Sequence, residues 1–298
     1  MEGPLLDIVI VTASGGRELL RACLRSLEQY PLTCGEATIH VADNASADGT
    51  VEMVREEHPR VKLLEVGRNA GFSVANNLVI TRTHSPLVLL LNPDTEAREG
   101  TLDRCVQSIR ERPQVGMLGC RLVQPDGTFD HAAKRSFPTP LGALAHFAKI
   151  GRAFQSGALA QYRAPEVPEH GQGEVDAVNG AFMLVRRCAI EQVGLLDEAY
   201  WLYMEDLDWC YRFHQAGWVV WYDGGSSFVH VKGGTSKRRG HRSLRATIAF
   251  HRGMGRFYRK FYAGPRPLLD GAVYAGIGAK LAIAATRGAV ARRGLAGS

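Results

Sequence analysis

No two cysteines form a Cys-x-x-Cys pair; Cys23, Cys34, Cys105, Cys120, Cys188 and Cys210 are scattered along the chain. That argues against a zinc site, a dithiol redox centre or a disulfide framework, and a reduced, cytosolic chain is expected. Also missing are a Gly-x-Gly-x-x-Gly after the first strand-like segment and a phosphate-loop lysine motif. Dinucleotide oxidoreductases and phosphate-loop nucleotidases are disfavoured on that ground. A Gly-x-Ser-x-Gly nucleophile elbow is absent too. The start, Met1-Glu2-Gly3-Pro4, lacks the basic residues and apolar run of a signal peptide, and no internal repeat is visible.

What the chain does have is the composition of a soluble globular protein: 298 residues, 45% hydrophobic and 22% charged. That length suits one large domain or two ordinary ones. The net charge of +6 hides an asymmetry, because from Lys232 onward there are 15 Lys and Arg against one acid, Asp270. An acidic body therefore carries a basic tail, a feature that suits an anionic membrane face, an acidic substrate or nucleic acid.

Short β-branched runs alternate with helical spacings. Asp7–Thr12, Ala37–Ala42, Val61–Val66 and Leu87–Leu91 read as buried strands. Between them lie a helix with Leu19, Leu20, Cys23, Leu24 and Leu27 on one face, ending near Pro31, and helices over Thr50–Glu57 and Gly71–Thr81. A helix around Thr101–Arg112 precedes a strand at Val115–Val123, and Val175–Arg186, Trp218–Tyr222 and Ser227–Val231 read as further strands. The alternation predicts an α/β fold with a doubly wound, mostly parallel sheet, whose ligands bind at the carboxyl ends of the strands. Thr12-Ala13-Ser14, Asp43-Asn44 and Asn92-Pro93-Asp94 fall there. The proline- and glycine-rich segment Phe129–Gly173 reads as a long loop or lid, with one short helix near Leu141–Ile150. Beyond Gly240 the chain is helical and basic, and Leu268–Ala285 approaches the length of a membrane span, interrupted by Asp270 and Lys280. An interfacial helix pair is the expectation.

The densest chemistry lies in Asp197–Arg212, where five carboxylates sit among large aromatic side chains. Aromatic walls suit a sugar ring or a base, and a carboxylate among them can take a proton from a hydroxyl. Trp201, Tyr203 and Trp209 suit ordinary core equally well. On a helix Glu205 and Asp206 point about 100° apart, whereas Asp208 and Arg212 stand at i and i+4, the spacing of a structural ion pair. Asp43 at its strand end suits a base or ribose, or an Asx turn. Asp94 at its strand end suits Mg²⁺ or Mn²⁺ bridging a diphosphate, since hard cations take oxygen ligands. His230, before Lys232-Gly233-Gly234, is a plausible further ligand.

Taken in order, Thr12-Ala13-Ser14, Asp43-Asn44-Ala45-Ser46, Gly67-Arg68-Asn69-Ala70-Gly71-Phe72, Leu91-Asn92-Pro93-Asp94, Asn179-Gly180-Ala181-Phe182, Leu196-Asp197-Glu198, Glu205-Asp206-Leu207-Asp208 and Gly217-Trp218 form a recognisable set. Together they resemble the inverting GT-A glycosyltransferases of family 2, in particular the rhamnosyltransferase-like branch of bacterial cell-surface polysaccharide synthesis. The likeness runs from about Ile8 to Ser236.

The resemblance implies a GT-A domain over residues 1–239, with a nucleotide-sugar half to about 125, an acceptor half from 126, and a basic helical extension at 240–298. It implies that Thr12, Ser14, Asp43, Asn44, Arg68, Asn69, Gly71 and Asn92 hold a nucleotide-diphosphosugar. A divalent metal, Mg²⁺ or Mn²⁺, would lie on Asp94 and His230. The family's Asp-x-Asp reads Asn92-Pro93-Asp94 here, one carboxylate short. Asp206 is expected as the base, with Glu205 orienting substrate and Trp201, Tyr203 and Asp197 on the acceptor side. Rhamnose from dTDP-rhamnose, moved to a lipid-linked or glycan acceptor, is the leading expectation. UDP-galactose, UDP-glucose, UDP-GlcNAc or GDP-mannose are alternative donors, and a non-catalytic partner subunit is the alternative to an enzyme. The tail is expected on the inner face of the cytoplasmic membrane. It lacks a recognised nucleic-acid module, so no nucleic-acid partner is expected.

Overall fold

The computed structural model describes residues 3–138, 164–231, 237–238 and 241–294. Its centre is β1, Leu6–Thr12, buried at every position. β1 pairs in parallel with β2, Ala37–Asp43, on one side and β4, Leu87–Leu91, on the other, and β2 pairs in parallel with β3, Lys62–Glu65. Three helices make these connections: α1, Arg17–Gln29, α2, Thr50–Glu57, and α3, Phe72–Ile80. The leucine stripe foreseen on α1 is buried at Leu20, Cys23, Leu24 and Leu27, each large apolar side chain contributing about 1.5–3 kcal/mol relative to exposure.

After β5, Thr95–Glu96, come α4, Thr101–Arg110, and β6, Val115–Val123. β7, Lys134–Arg135, β8, Gln172–Glu174, and β9, Ala177–Val178, are short. β10, Phe182–Arg186, lies antiparallel between β4 and β6, and β11, Val219–His230, runs parallel to β6. The sheet order is β3-β2-β1-β4-β10-β6-β11-β5, with β8 paired to β11. This is the expected α/β arrangement, a mostly parallel sheet flanked by helices.

Two segments differ from the sequence reading. Val175–Arg186 splits into β9 and β10, because the Ala181 N–H donates to Asn179 Oδ1 at 2.9 Å and turns the chain between them. The two expected strands Trp218–Tyr222 and Ser227–Val231 are one strand, β11, whose register against β6 shifts between Asp223 and Ser227. Gly224 allows that bulge: a Cβ there would stand 2.4 Å from the Glu169 carbonyl oxygen. Of the expected lid, residues 139–163, including the short helix, lie outside the described residues.

α5, Arg187–Val193, and α6, Glu205–Gln215, follow β10, and the basic extension forms α7, Leu244–Phe261, and α8, Pro267–Gly294. α7 does not stand apart, since Phe257 is buried in the main core with Phe250, Met254 and Phe261 packed against it. α8 rests on α7 through Val273, Ile277 and Tyr258. Among the described residues, Pro267–Thr286 is the helix stretch long and apolar enough to cross a membrane by length and composition.

Candidate active site

Because β1, β2, β4, β6 and β11 point the same way, their carboxyl ends bring Thr12, Asp43, Asn92 and His230 to one edge. Thr12 Oγ1, Asp43 Oδ1, Asp94 Oδ1 and Glu205 Oε2 are buried there without a hydrogen-bond partner. An unsatisfied buried polar atom costs about 1–3 kcal/mol, so a polar ligand bound at this edge would be stabilising.

The nucleotide-side residues divide. Asp43 accepts from the Ser46 N–H through Oδ2 at 2.9 Å, while its Oδ1 is buried without a hydrogen-bond partner. Arg68 and Asn69 are exposed at the rim. Asn44, expected on the nucleotide, is a brace instead: its Nδ2 donates to the Gly71 carbonyl at 3.1 Å and its Oδ1 accepts from the Ala70 N–H at 3.2 Å. Ser14 accepts from the Ala47 N–H at 2.9 Å and so ties the first loop to the second. At Gly71 φ is +93°, and a Cβ would lie 2.4 Å from the Trp201 carbonyl oxygen. No side chain fits there, which lets the Phe72 N–H donate to that oxygen at 2.8 Å.

Antiparallel pairing of β5 with β11 sets Thr95 opposite His230, and the Val231 N–H donates to the Asp94 carbonyl at 2.8 Å. His230 Nε2 then lies 3.6 Å from Asp94 Oδ1. On its other side His230 Nδ1 is 3.1 Å from Asp130 Oδ2. Burial opposes charge on this imidazole, yet the hydrogen bond to Asp130 and the nearby Asp94 carboxylate prevail and push its pKa up to about 9. Among the described residues no three acidic, histidine or cysteine side chains converge on a point that would hold a metal. Asp94 Oδ1, without a hydrogen-bond partner and facing a ring nitrogen, fits a cation that takes its remaining ligands from phosphate and water. Asn92, half-buried, has its carbonyl occupied by the Thr95 hydroxyl at 2.7 Å.

The acidic and aromatic stretch separates sharply. Tyr203 and Met204 both adopt positive φ, +71° and +74°, immediately before α6. Each such non-glycine residue costs about 1–3 kcal/mol. The strained turn places Glu205 and Asp206 in the first turn of α6, where the helix dipole favours negative charge. Asp206 Oδ2 accepts from Arg135 Nη2 at 2.6 Å and from the Gly180 N–H at 3.3 Å. Burial first, and then the neighbouring Asp206 charge, push the Glu205 carboxyl up to about 8. Glu205 is therefore mostly protonated at neutral pH.

The remaining members are structural. Asp208 is wholly buried between Arg212 Nε at 2.8 Å and Lys260 Nζ at 2.7 Å, so the expected i,i+4 pair exists and gains a partner from α7. Asp197, expected on the acceptor side, instead binds Arg256 and Lys260 of α7, each at 3.0 Å. Trp209 is core, its indole N–H on the Gly194 carbonyl at 2.9 Å. Trp201, expected on the acceptor side, stacks under Arg245 at 4.0 Å beside the Asn69–Gly71 loop. Tyr203 meets the Phe250 ring edge-on at 5.9 Å.

Arg135 and Asp130 were not singled out in the sequence. Both lie in the segment read only as a lid, where neither period nor motif marked them.

The profile described as glycosyl transferase family 2 matches residues 7–166, more than half of the chain. The chain belongs to this family. It is a glycosyltransferase built for a nucleotide-sugar donor. Over 247 residues it is 30% identical to the N-acetylglucosaminyl-diphospho-decaprenol L-rhamnosyltransferase of Mycobacterium tuberculosis, covering 78% of each chain. Its fold is similar to that of a mannosyltransferase from Pyrobaculum calidifontis solved with GDP-Man and Mn²⁺, at a TM-score of 0.58 and 18% identity, covering 99% of this chain and 81% of that one. It is also similar to GalNAc-T7 solved with UDP, GalNAc and Mn²⁺, at a TM-score of 0.61 and 14% identity, covering 93% and 55%.

Proposed function

We propose that this glycosyltransferase moves rhamnose from dTDP-rhamnose to a lipid-linked diphosphosugar in cell-envelope glycan synthesis, with inversion at the anomeric carbon. The observation that carries this reading is the 30% identity, over 78% of both chains, to the mycobacterial rhamnosyltransferase. Another sugar-nucleotide donor is the second reading, favoured by the mannosyltransferase whose fold this chain shares.

In the proposed reaction the nucleoside lies across the carboxyl ends of β1 and β2, with Asp43 Oδ1 taking a hydrogen bond from it. The diphosphate lies toward Asp94 and His230. A divalent metal held by Asp94 and His230 would neutralise the charge that develops on the leaving diphosphate. Asp206 takes the proton of the attacking acceptor hydroxyl. Arg135 and the Gly180 N–H hold its carboxylate in place, and the protonated Glu205 donates a hydrogen bond to a sugar oxygen. Alignment of the two substrates supplies much of the rate.

The lipid end of the acceptor suits the extension. α8 exposes Leu268, Tyr274 and Ile283, and a groove of about 300 Å³ between α7 and α8 is lined by Arg252, Arg256, Arg259 and Tyr274. Apolar side chains beside arginines suit a leaflet of anionic lipids, so peripheral attachment to the inner face of the cytoplasmic membrane is part of the proposal.

The test is a thermal-shift screen against sugar nucleotides with and without Mg²⁺ or Mn²⁺, followed by transfer to a polyprenyl-diphosphate-linked N-acetylglucosamine. A donor at 100 times its Kd stabilises the fold by about 2.7 kcal/mol. Stabilisation and transfer with dTDP-rhamnose are expected; transfer only from another donor would overturn the rhamnose assignment.

A further inference from the structure

We propose that Asp130 is a positioning residue for His230: it holds the hydrogen of the neutral ring on Nδ1 and so leaves the Nε2 lone pair facing Asp94 for a divalent cation. The inference rests on the Asp94–His230 metal reading and assigns a role to a residue outside it. Asp130 lies beyond the turn that follows β6, where the Val123–Phe129 bridge closes a small hairpin. Its own N–H donates to the Leu122 carbonyl at 2.9 Å, and its carbonyl accepts from the Ala133 N–H at 2.8 Å. Its side chain is fully buried, with Oδ1 accepting from the Ala132 N–H at 3.0 Å and Oδ2 standing 3.1 Å from His230 Nδ1.

An ionised carboxylate has no hydrogen to give, so Nδ1 must be the donor in this contact. Once the second ring proton, held beside Asp94 Oδ1 at 3.6 Å, gives way to the cation, Nε2 is left as the acceptor. Carboxylates behind a ligating histidine act in this way, fixing tautomer and ring orientation, and removing one costs about 10–100-fold in metal affinity. A long-range bond carries the arrangement, since Asp130 and His230 are 100 residues apart.

Asp130→Asn keeps the shape of the side chain and separates this role from simple packing. Its single amide oxygen serves Ala132 or His230, not both. With the oxygen on the Ala132 N–H, the amide N–H₂ faces Nδ1, turns that nitrogen into an acceptor and moves the ring hydrogen to Nε2. Two measurements on the full chain follow. Mn²⁺ alone, titrated by the electron paramagnetic resonance of the free ion, is expected to bind about 10–100-fold more weakly to Asp130→Asn. In ¹⁵N-histidine spectra recorded above the pH near 9 at which this ring gives up its second proton, the native chain is expected to carry Nδ1–H and the variant Nε2–H.

A neutral native ring that carries its one hydrogen on Nε2 rather than Nδ1 overturns the proposal without any variant being needed. So does unchanged Mn²⁺ affinity in Asp130→Asn while His230→Ala abolishes binding, and so does weakened binding with the Nδ1–H tautomer retained. If Asp94→Ala and His230→Ala both bind Mn²⁺ as the native chain does, the metal reading itself fails.

Discussion

At the first turn of α6 two adjacent carboxylates meet opposite surroundings: Glu205 is enclosed with a partnerless Oε2, while Asp206 faces Arg135 and the Gly180 N–H. Close like charges titrate as a pair, and here burial assigns the proton to Glu205. Asp206→Asn is expected to bind the donor normally and lose about 10²–10⁴-fold in turnover, read by steady-state transfer beside nucleotide binding. Glu205 yields a pH prediction. Its carboxyl titrates near 4.5 ordinarily and at about 8 in the fold, so between those values the folded state retains a proton that the unfolded chain has lost. Stability therefore falls as pH rises through that window. Glu205→Gln is expected to melt increasingly above the native chain from pH 5 to pH 9; parallel melting curves would refute the buried, protonated assignment. The Glu205-Asp206 pair itself was legible from the motif. Arg135 was not, because nothing in the spacing of Lys134 and Arg135 shows that β7 pairs with β9 and carries a guanidinium across to α6.

At the scale of the element, α7 is joined to α6 by charge and by close approach. Gly253 of α7 packs on the strained Tyr203–Met204 turn, where a Cβ would stand 3.0 Å from Met204 and 3.1 Å from the Tyr203 carbonyl oxygen. Lys260 bridges Asp197 and Asp208. Asp208→Ala leaves Arg212 and Lys260 without their shared acceptor, and a loss of about 3–5 kcal/mol in chemical denaturation is expected, as for breaking any buried pair from one side. Lys260→Ala leaves the Asp208–Arg212 pair intact, so a smaller loss of about 1.5–3 kcal/mol is expected. Equal losses would mean that Lys260, not the buried carboxylate, dominates. The i,i+4 half of this network was readable from helix periodicity alone. The half contributed by α7 was not, since Asp208 and Lys260 are 52 residues apart.

For the whole molecule, the extension expected from residue 240 packs with the body, because Phe257 of α7 is buried in the main core. A chain ending before Pro267 is expected to stay folded and to lose binding to anionic vesicles, measured by co-sedimentation across salt concentrations. A chain ending at Gly240 is expected to melt at lower temperature, since it bares the core under Phe257 and strips Lys260 from Asp208. Vesicle binding that survives loss of α8 would move the membrane surface elsewhere.

The sequence by itself determined the class of the sheet, the family and the gathering of polar motifs at the strand ends, because strand and helix periodicities are local and the motifs are short. Only the tertiary structure decided how the five carboxylates of Asp197–Arg212 divide. Asp206 faces a guanidinium, Glu205 holds a proton, Glu198 accepts from Asn77, and Asp197 and Asp208 anchor α7. A carboxylate's role depends on its desolvation and on the charges brought against it, and here the deciding partners, Arg135, Asn77, Arg256 and Lys260, come from segments that only the folded chain brings together.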